Sequence, residues 1–187
     1  AVTLAGLAIH DLVSGGWHGE FLRGGKVGTC NLATIQGGDA TNVVTDRVDI
    51  EGECRSFDRR LLDRIAREVE RACQRAVRST KNSRGQRGSV TFHTDIEYEP
   101  FMIPKNAASV KAAQDAIRSL GMKPELLTTQ GALDANWLNA RGIPVATLGA
   151  GQVAGHSLSE RLDIEQFLTG CKVALHLATS SQISASA

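Results

Sequence analysis

The sequence predicts an α+β domain over residues 1–97 and an α/β segment with a parallel sheet over residues 98–187. Two patterns predict this division. In the first half the predicted strands alternate apolar and polar side chains, which is typical of antiparallel sheets with one face in water. In the second half helices alternate with short apolar strands, which is typical of a parallel sheet. With 187 residues, of which 42% are hydrophobic, the chain is long enough to bury a core.

The first domain is predicted to open with a helix over residues 1–13, because its apolar residues share one stripe and a Ser-Gly-Gly run follows it. Residues 17–25, which contain a Trp-His-Gly turn and a Gly-Gly pair, predict a loop. Residues 27–36 then predict a strand.

A second strand is predicted over residues 44–55, because apolar and charged residues alternate along it. Its buried face would carry Val44, Val48, Ile50 and Cys54. Asp58 is a good N-cap for the amphipathic helix that follows. The apolar positions of that helix are spaced three and four residues apart: Leu61, Leu62, Ile65, Val69, Ala72, Cys73 and Ala76.

A third strand is predicted over residues 89–98, with Val90, Phe92, Ile96 and Tyr98 on its buried face. The order of the first domain is then helix, strand, strand, helix, strand. A ferredoxin-like fold has the order strand, helix, strand, strand, helix, strand. The sequence therefore predicts a ferredoxin-like domain that lacks its first strand.

The second half is predicted to begin with an extended crossing and a helix capped by Asn106. The apolar face of this helix would carry Val110, Ala113, Ile117 and Leu120. The remaining elements are a strand at residues 125–129, a helix at residues 132–140, a buried strand at residues 144–148 and an amphipathic helix at residues 164–178.

The net charge of +1 hides a basic region between residues 55 and 87, which holds eleven Lys or Arg residues against four acidic ones. Arginines spread around the solvent side of an amphipathic helix usually form a hydrated face. The pattern therefore favours an ordinary surface over an interface with nucleic acid.

No apolar run approaches the roughly 18 to 20 residues that cross a bilayer, so no membrane contact is expected. The four cysteines, Cys30, Cys54, Cys73 and Cys171, lie singly in apolar segments without Cys-x-x-Cys spacing. This favours reduced, buried thiols in a cytoplasmic protein over a disulfide framework or a zinc knuckle.

Two patches contain residue types that are common in active sites. The first is Gly37-Gly38-Asp-Ala-Thr-Asn42-Val-Val-Thr-Asp46, with Gly52-Glu53-Cys-Arg55-Ser56 after it. The second is Gly131-Ala-Leu-Asp134-Ala, followed by Gly142-Ile-Pro144, a Gly-rich turn, and His156-Ser-Leu-Ser-Glu160. In an open α/β sheet, active sites usually lie beyond the carboxyl ends of strands. Within the second patch, the predicted strand at residues 144–148 runs into the Gly-rich turn before His156, and we expect this patch to form one wall of an active site.

Together these patches resemble the co-catalytic di-zinc peptidases and deacylases, a superfamily that includes tripeptide aminopeptidases, carboxypeptidases, aminoacylases and desuccinylases. The patches occur in the order and at about the separation found in that family, so the resemblance covers most of the chain. It implies that residues 1–97 form the family's lid, or dimerisation, domain. It also implies that residues 98–187 form the C-terminal segment of its catalytic domain.

The resemblance implies roles for four residues. His156 matches the family's last zinc ligand, and Asp134 matches an acid beside the metal site that contacts substrate. Asn42 matches a lid residue that hydrogen-bonds substrate, often from the opposite subunit of a dimer. Glu160 would orient His156 by accepting its other ring proton. The residues alone leave simpler alternatives open, namely a turn former for Asn42 and helix caps for Asp134 and Glu160.

A catalytic zinc needs about three protein ligands and an open position for water. The resemblance places the other ligands, and the Glu-Glu pair that supplies the general base, before the lid domain. This sequence contains no Glu-Glu dipeptide, and no catalytic residue is identifiable in it. We therefore expect the C-terminal portion of a longer enzyme that holds two zinc ions when intact and is inactive as this chain alone.

Within the family, the pattern is most similar to the tripeptide aminopeptidase, or peptidase T-like, branch. This implies short peptides as substrates and a homodimer formed through the lid domain. Carboxypeptidases and desuccinylases of the family use an Arg for the substrate carboxylate at about the place where this chain has Tyr98-Glu99-Pro100-Phe101. The lack of an Arg in this segment favours an aminopeptidase. The alternatives are a related amide hydrolase (a carboxypeptidase, aminoacylase or desuccinylase) and a non-catalytic dimerisation module.

Overall fold

The computed structural model describes residues 1–180. The chain divides into two compact units, Ala1–Pro100 and Phe101–Ala187, called unit 1 and unit 2 below. The described residues form a mixed α/β structure with two small sheets, one of three strands and one of two. All strand pairs in these residues are antiparallel, so the prediction of a parallel sheet is wrong for the described part of the chain.

Unit 1 contains two helices and the three-stranded sheet. Its elements are α1 (Val2–Ser14), β1 (Gly19–Arg23), β2 (Lys26–Gln36), β3 (Asp49–Ser56) and α2 (Arg59–Ser79). The strands lie in the order β1-β2-β3. The two helices and strand β2 are confirmed. The bounds of α1 and the start of β2 each differ from the predicted ones by one residue.

Strand β1 lies in the segment that was expected to be a loop. Gly24 and Gly25 form a two-residue turn between Arg23 and Lys26, which are opposite each other in the ladder. Both glycines have positive φ, 58° and 77°. Such turns match the right-handed twist of a hairpin, and glycine adopts them without steric cost. The Gly-Gly pair therefore marks a hairpin.

The core of unit 1 lies between helix α2 and the sheet. One buried cluster joins residues of α1, β2 and α2: Leu12, Cys30, Leu61, Ile65, Val69 and Ala72. Helix α2 begins as predicted, because the Asp58 carboxylate accepts the Leu61 N–H at 2.8 Å. Lys26 forms an ion pair with the same carboxylate. The interaction with Lys26 and the hydrogen bond from the Leu61 N–H hold the Asp58 pKa below its ordinary value.

Strand β3 starts five residues later than predicted. Its ladder with β2 begins at the Gln36–Asp49 pair, and residues 40–43 form a turn in which Val43 N–H donates to the Ala40 carbonyl at 3.2 Å. Val44 follows this turn and is 92% exposed, so its assignment to the buried face is wrong.

Residues 89–98 form no strand in the described part of the chain, contrary to the alternation of their side chains. Phe92 packs against the unit 1 core, but Val90, Ile96 and Tyr98 are exposed. A strand is stabilised by hydrogen bonds to a neighbour, and no strand of the described residues pairs with this segment. Alternation alone therefore did not identify a strand here.

Unit 2 contains α3 (Ala108–Ser119), α4 (Asp134–Ala140), β4 (Gln152–Val153), β5 (Arg161–Leu162) and α5 (Ile164–Thr179). The three helices were predicted. Asn106 does not cap α3. The N-cap residue is Ala107, and no side chain of the described residues makes a capping hydrogen bond there. The Ala107 N–H donates to the Pro104 carbonyl at 2.9 Å. The α3 residues buried are Val110, Ala113 and Ala116.

The two apolar segments at residues 125–129 and 144–148 are not strands. Asn139 of α4 explains part of this result. Its amide nitrogen donates to the Val145 carbonyl at 3.0 Å, and its amide oxygen accepts the Val145 N–H at 3.2 Å. A side chain therefore satisfies the backbone groups of Val145 that a neighbouring strand would satisfy in a sheet.

Helix α5 leaves most of its apolar residues exposed. Val173 is buried, whereas Ile164, Phe167, Leu168 and Leu175 are exposed. Cys171 lies on the same helix and is also exposed, so the expectation of a buried thiol is wrong at this position. Among the described residues, no helix combines the length and the apolar character needed to cross a membrane.

Candidate functional site

His156 lies on an exposed turn between β4 and β5. Its φ is 62°, and that of Ala154, two residues earlier, is 54°. They are the two non-glycine residues with positive φ in the described part of the chain. Side chains with a Cβ seldom adopt this left-handed conformation, which persists where surrounding contacts impose it and is common at functional sites. The backbone therefore sets His156 apart from the other histidines.

The Glu160 carboxylate holds this turn in place. It accepts the backbone N–H of His156 at 2.6 Å and a side-chain N–H of Gln152 at 2.7 Å. Within the same turn, Ser157 Oγ donates to the Ala154 carbonyl at 2.7 Å. The bonds from Gln152 and His156 hold the Glu160 pKa below its ordinary value, so the carboxylate is ionised at neutral pH.

Glu160 thus contacts the backbone of His156, whereas the sequence-based prediction was a hydrogen bond from its ring. It is also not the cap of the next helix. That cap is Asp163, whose carboxylate accepts the Gln166 N–H at 3.0 Å and so begins α5.

Gly151 anchors the start of the turn to helix α5. It is buried, its φ is +80°, and its carbonyl accepts the Asp163 N–H at 2.8 Å. A Cβ at this position would lie 2.7 Å from the Asp163 carbonyl oxygen and 2.9 Å from the Phe167 nitrogen. Both are backbone atoms, which cannot rotate away as a side chain can.

We expect Gly151→Ala to destabilise unit 2 by about 1–3 kcal/mol, because a Cβ is strained at positive φ and here also meets backbone. Gly149→Ala is the matched control, since a Cβ there has no heavy atom within 4 Å and no positive φ. Thermal unfolding of both variants measures the difference. Equal midpoints would show that the packing of Gly151 against α5 is not a constraint.

Asp134 is the exposed first residue of α4. The N-cap of this helix is Leu133, whose N–H is bonded to the Asn136 side-chain oxygen at 2.9 Å, so Asp134 is not the cap. A carboxylate in the first turn still interacts favourably with the helix dipole. Asp134 lines a shallow concave surface together with Trp137, Leu138 and Arg141. The Arg141 guanidinium lies 5.9 Å from the Trp137 ring centroid.

Asn42 lies in unit 1, on the exposed turn of residues 40–43. This position agrees with the simpler alternative of a turn former. The other three candidate residues lie in unit 2. Among them, hydrogen bonds of the described residues join His156 to Glu160 and do not reach Asp134.

Sequence reasoning missed two asparagines that shape this part of unit 2. Asn136 closes the start of α4, and Asn139 ties its end to Val145. The signal was available, because Asn side chains compete for backbone groups and are disfavoured within helices. Two of them in the seven residues of α4 indicate that they bond the adjoining backbone.

Three of the seven arginines of α2 make ion pairs within the described residues. Arg59 pairs with Asp63 and Glu99, Arg71 with Glu68, and Arg75 with Asp11 of α1. The guanidinium groups of Arg23 and Arg64 lie 5.1 and 5.0 Å from the Trp17 ring centroid. These contacts occupy part of the basic face that was expected to be an ordinary hydrated surface.

Residues 1–180 contain no group of three or more His, Cys, Asp or Glu side chains placed to hold a metal ion. A catalytic zinc site needs about three protein ligands, and the described residues do not complete one. His156 is exposed, as are the other four histidines, and its positive φ distinguishes it from them.

Comparison with known proteins identifies the class. The sequence pattern described as peptidase family M20/M25/M40 matches residues 9–180, and the chain therefore belongs to this family. Peptidases of this family are generally metal-dependent. The resemblance to peptidase T-like enzymes that the two sequence patches indicate is thereby confirmed.

Particular relatives are known from sequence and from structure. The uncharacterized protein YqjE of Bacillus subtilis strain 168 is 28% identical over 168 residues, which are 90% of this chain and 42% of YqjE. A tripeptidase from Staphylococcus aureus Mu50 is similar with a TM-score of 0.74 and 28% identity. Aminopeptidase PepT from Bacillus cereus ATCC 10987 has the same fold, with a TM-score of 0.69 and 22% identity. Each match includes 94% of this chain and 44% of the chain in the solved structure.

Proposed function

We propose that this chain is the C-terminal part of a longer, zinc-dependent exopeptidase that hydrolyses short peptides in the manner of a tripeptide aminopeptidase. The observation that carries the proposal is the likeness to the Staphylococcus aureus tripeptidase, which extends over 94% of this chain at 28% identity. The chain spans less than half of that protein, so the activity belongs to the intact enzyme.

Unit 1 serves as the ferredoxin-like lid through which two subunits associate. In support, α1 and α2 accompany a small antiparallel sheet, and β3 is an outer strand of that sheet. An outer strand offers unpaired backbone groups to a second chain. Unit 2 completes the catalytic domain, and the exposed apolar face of α5 supports further packing there.

His156 serves as one zinc ligand in the intact enzyme, and Glu160 fixes its position through the backbone of the turn. The strained φ of His156 and the 2.6 Å bond from its N–H support these roles. Asn42 and Asp134 contact substrate, and both are exposed. The four free cysteines support a cytoplasmic, reducing location.

The test compares three peptides with the zinc-loaded intact protein: a free tripeptide, the same tripeptide acetylated at its amino group, and the same tripeptide amidated at its carboxyl end. We expect cleavage of the free and amidated peptides and no cleavage of the acetylated one, because an aminopeptidase recognises the free amine. The 187-residue chain should cleave none of them.

Other outcomes would contradict the proposal in distinct ways. Preference for the acetylated peptide would indicate an aminoacylase-like amide hydrolase. Dependence on a free carboxyl end would indicate a carboxypeptidase. Cleavage of no peptide by a folded, zinc-loaded intact protein would favour a non-catalytic dimerisation module.

A further inference from the structure

We propose that Cys30 and Cys54 form a peroxide-sensitive dithiol, which oxidation converts to a disulfide between neighbouring strands of unit 1. This inference concerns the 187-residue chain itself and does not depend on the proposed peptidase function.

The register of the sheet carries the proposal. Cys30 of β2 and Cys54 of β3 are directly opposite each other in an antiparallel pair. Residues in such positions have Cα atoms about 4.5 to 5.5 Å apart, within the range of about 4.4 to 6.8 Å that disulfides span. Cys54 also packs against the buried cluster that contains Cys30, so the two side chains lie on the same face of the sheet. A disulfide therefore requires only a small approach of two side chains that are cross-strand neighbours on one face.

The other two cysteines have no such arrangement. Cys73 lies on α2, half-buried, and Cys171 lies on α5 in unit 2, exposed. The four thiols thus provide one dithiol and two controls. The controls differ from the dithiol in having no cross-strand cysteine partner.

Access to the dithiol is from the side of β3. Cys30 is 1% exposed and belongs to the unit 1 core, but Cys54 is half-buried. Strand β3 pairs on one side with β2 and is the last strand of the sheet. Outer strands open locally more readily than central ones, and hydrogen peroxide is small enough to enter through such an opening.

The interaction of the two thiols shifts their pKa values in opposite directions, and these directions assign the two chemical roles. The Cys54 thiol lowers the Cys30 pKa, which favours the Cys30 thiolate. The same interaction, together with burial, raises the Cys54 pKa and keeps that sulfur protonated. Cys30 is therefore the nucleophile and Cys54 the resolving thiol.

The reaction balances with one peroxide. The Cys30 thiolate attacks a peroxide oxygen, the O–O bond breaks, and hydroxide leaves to give a sulfenic acid on Cys30. The Cys54 sulfur then attacks the Cys30 sulfur, the S–S bond forms, and the S–O bond breaks. The first hydroxide takes the proton that Cys30 lost when it ionised, and the second takes the proton of the Cys54 thiol. Two thiols are oxidised, and one peroxide is reduced to two waters.

The product closes a covalent ring over residues 30–54, which include the turn that carries Asn42. A disulfide that closes a loop restricts the unfolded chain and so favours the folded one. Oxidation should therefore raise the thermal unfolding midpoint of unit 1 by several degrees. Dithiothreitol should reverse the change.

The test uses a Cys73→Ser/Cys171→Ser chain, which keeps the dithiol, and a Cys30→Ser/Cys54→Ser chain as its matched control. Both are treated with hydrogen peroxide and measured by mass spectrometry and thiol titration without reduction. We expect the first to lose both thiols, to lose two hydrogen atoms in mass, and to yield a linked peptide pair containing positions 30 and 54. The control should form no intramolecular link.

Two results would overturn the proposal. One is a Cys73→Ser/Cys171→Ser chain that keeps both thiols under conditions that oxidise Cys171 in the unsubstituted chain. The other is oxygen addition at Cys30 or Cys54 without a link. Because this chain retains both core cysteines, a folding defect caused by their replacement does not affect the result. Circular dichroism before treatment verifies that it is folded.

Discussion

Replacing His156 by Ala should lower kcat/KM of the intact protein for tripeptides by at least about 100-fold. Removing a residue that only supports a metal ligand costs about 10- to 100-fold in activity, and removing the ligand itself should cost at least as much. Steady-state kinetics with saturating zinc measures this effect. The structural basis is the left-handed turn, which presents His156 at the surface of unit 2 and is held by Glu160.

His176→Ala is the matched control for this prediction. His176 is also exposed and lies in unit 2, but it is on helix α5, away from the turn. Its replacement should change kcat/KM less than about twofold, as expected for a surface substitution away from the site. If both variants retain activity, His156 is not a metal ligand.

Replacing Ile65 by Ala should lower the free energy of unfolding of unit 1 by about 2–5 kcal/mol, the usual cost of deleting a buried aliphatic side chain. Ile65 is 0% exposed and belongs to the cluster between α2 and the sheet. It also fills the space above Gly28, where a Cβ would lie 2.9 Å from Ile65 Cδ1. Urea unfolding followed by circular dichroism measures the loss.

Ile35→Ala is the control for the core prediction. Ile35 is the same residue type on β2 but is 54% exposed. Its replacement should cost less than about 1 kcal/mol, mostly through reduced strand propensity. Equal losses for the two variants would contradict the assignment of the core to the α2 side of the sheet.

Helices were predictable from this sequence because their information is local. The bond from Leu61 N–H to Asp58 and the apolar spacing of α2 both lie within one segment. Strands were less predictable, since a strand exists only with a neighbour. Val145 lies in an apolar run that looks like a strand, but its backbone groups bond the Asn139 side chain. Nothing in the run itself contains that information.

The candidate site shows the same difference between local information, which the sequence contains, and contacts that depend on the folded backbone. The sequence identified His156 and Glu160 as neighbours in a motif, and the structure places them in contact. The kind of contact was not predictable, because it depends on the left-handed backbone at His156, which turns the N–H toward the carboxylate. Similarly, Cys30 and Cys54 look isolated in the sequence, and only the register of β2 against β3 makes them partners.

We propose that His156 of this chain is one metal ligand of a site that the intact protein completes. Zinc content by elemental analysis tests it directly, on the 187-residue chain, on the intact protein and on the intact protein with His156→Ala. We predict two zinc ions for the intact protein, fewer for its variant, and weak, substoichiometric zinc for the 187-residue chain. Two tightly held zinc ions in the 187-residue chain would contradict the proposed sharing of the site, because the described residues offer no group of three ligands to hold them.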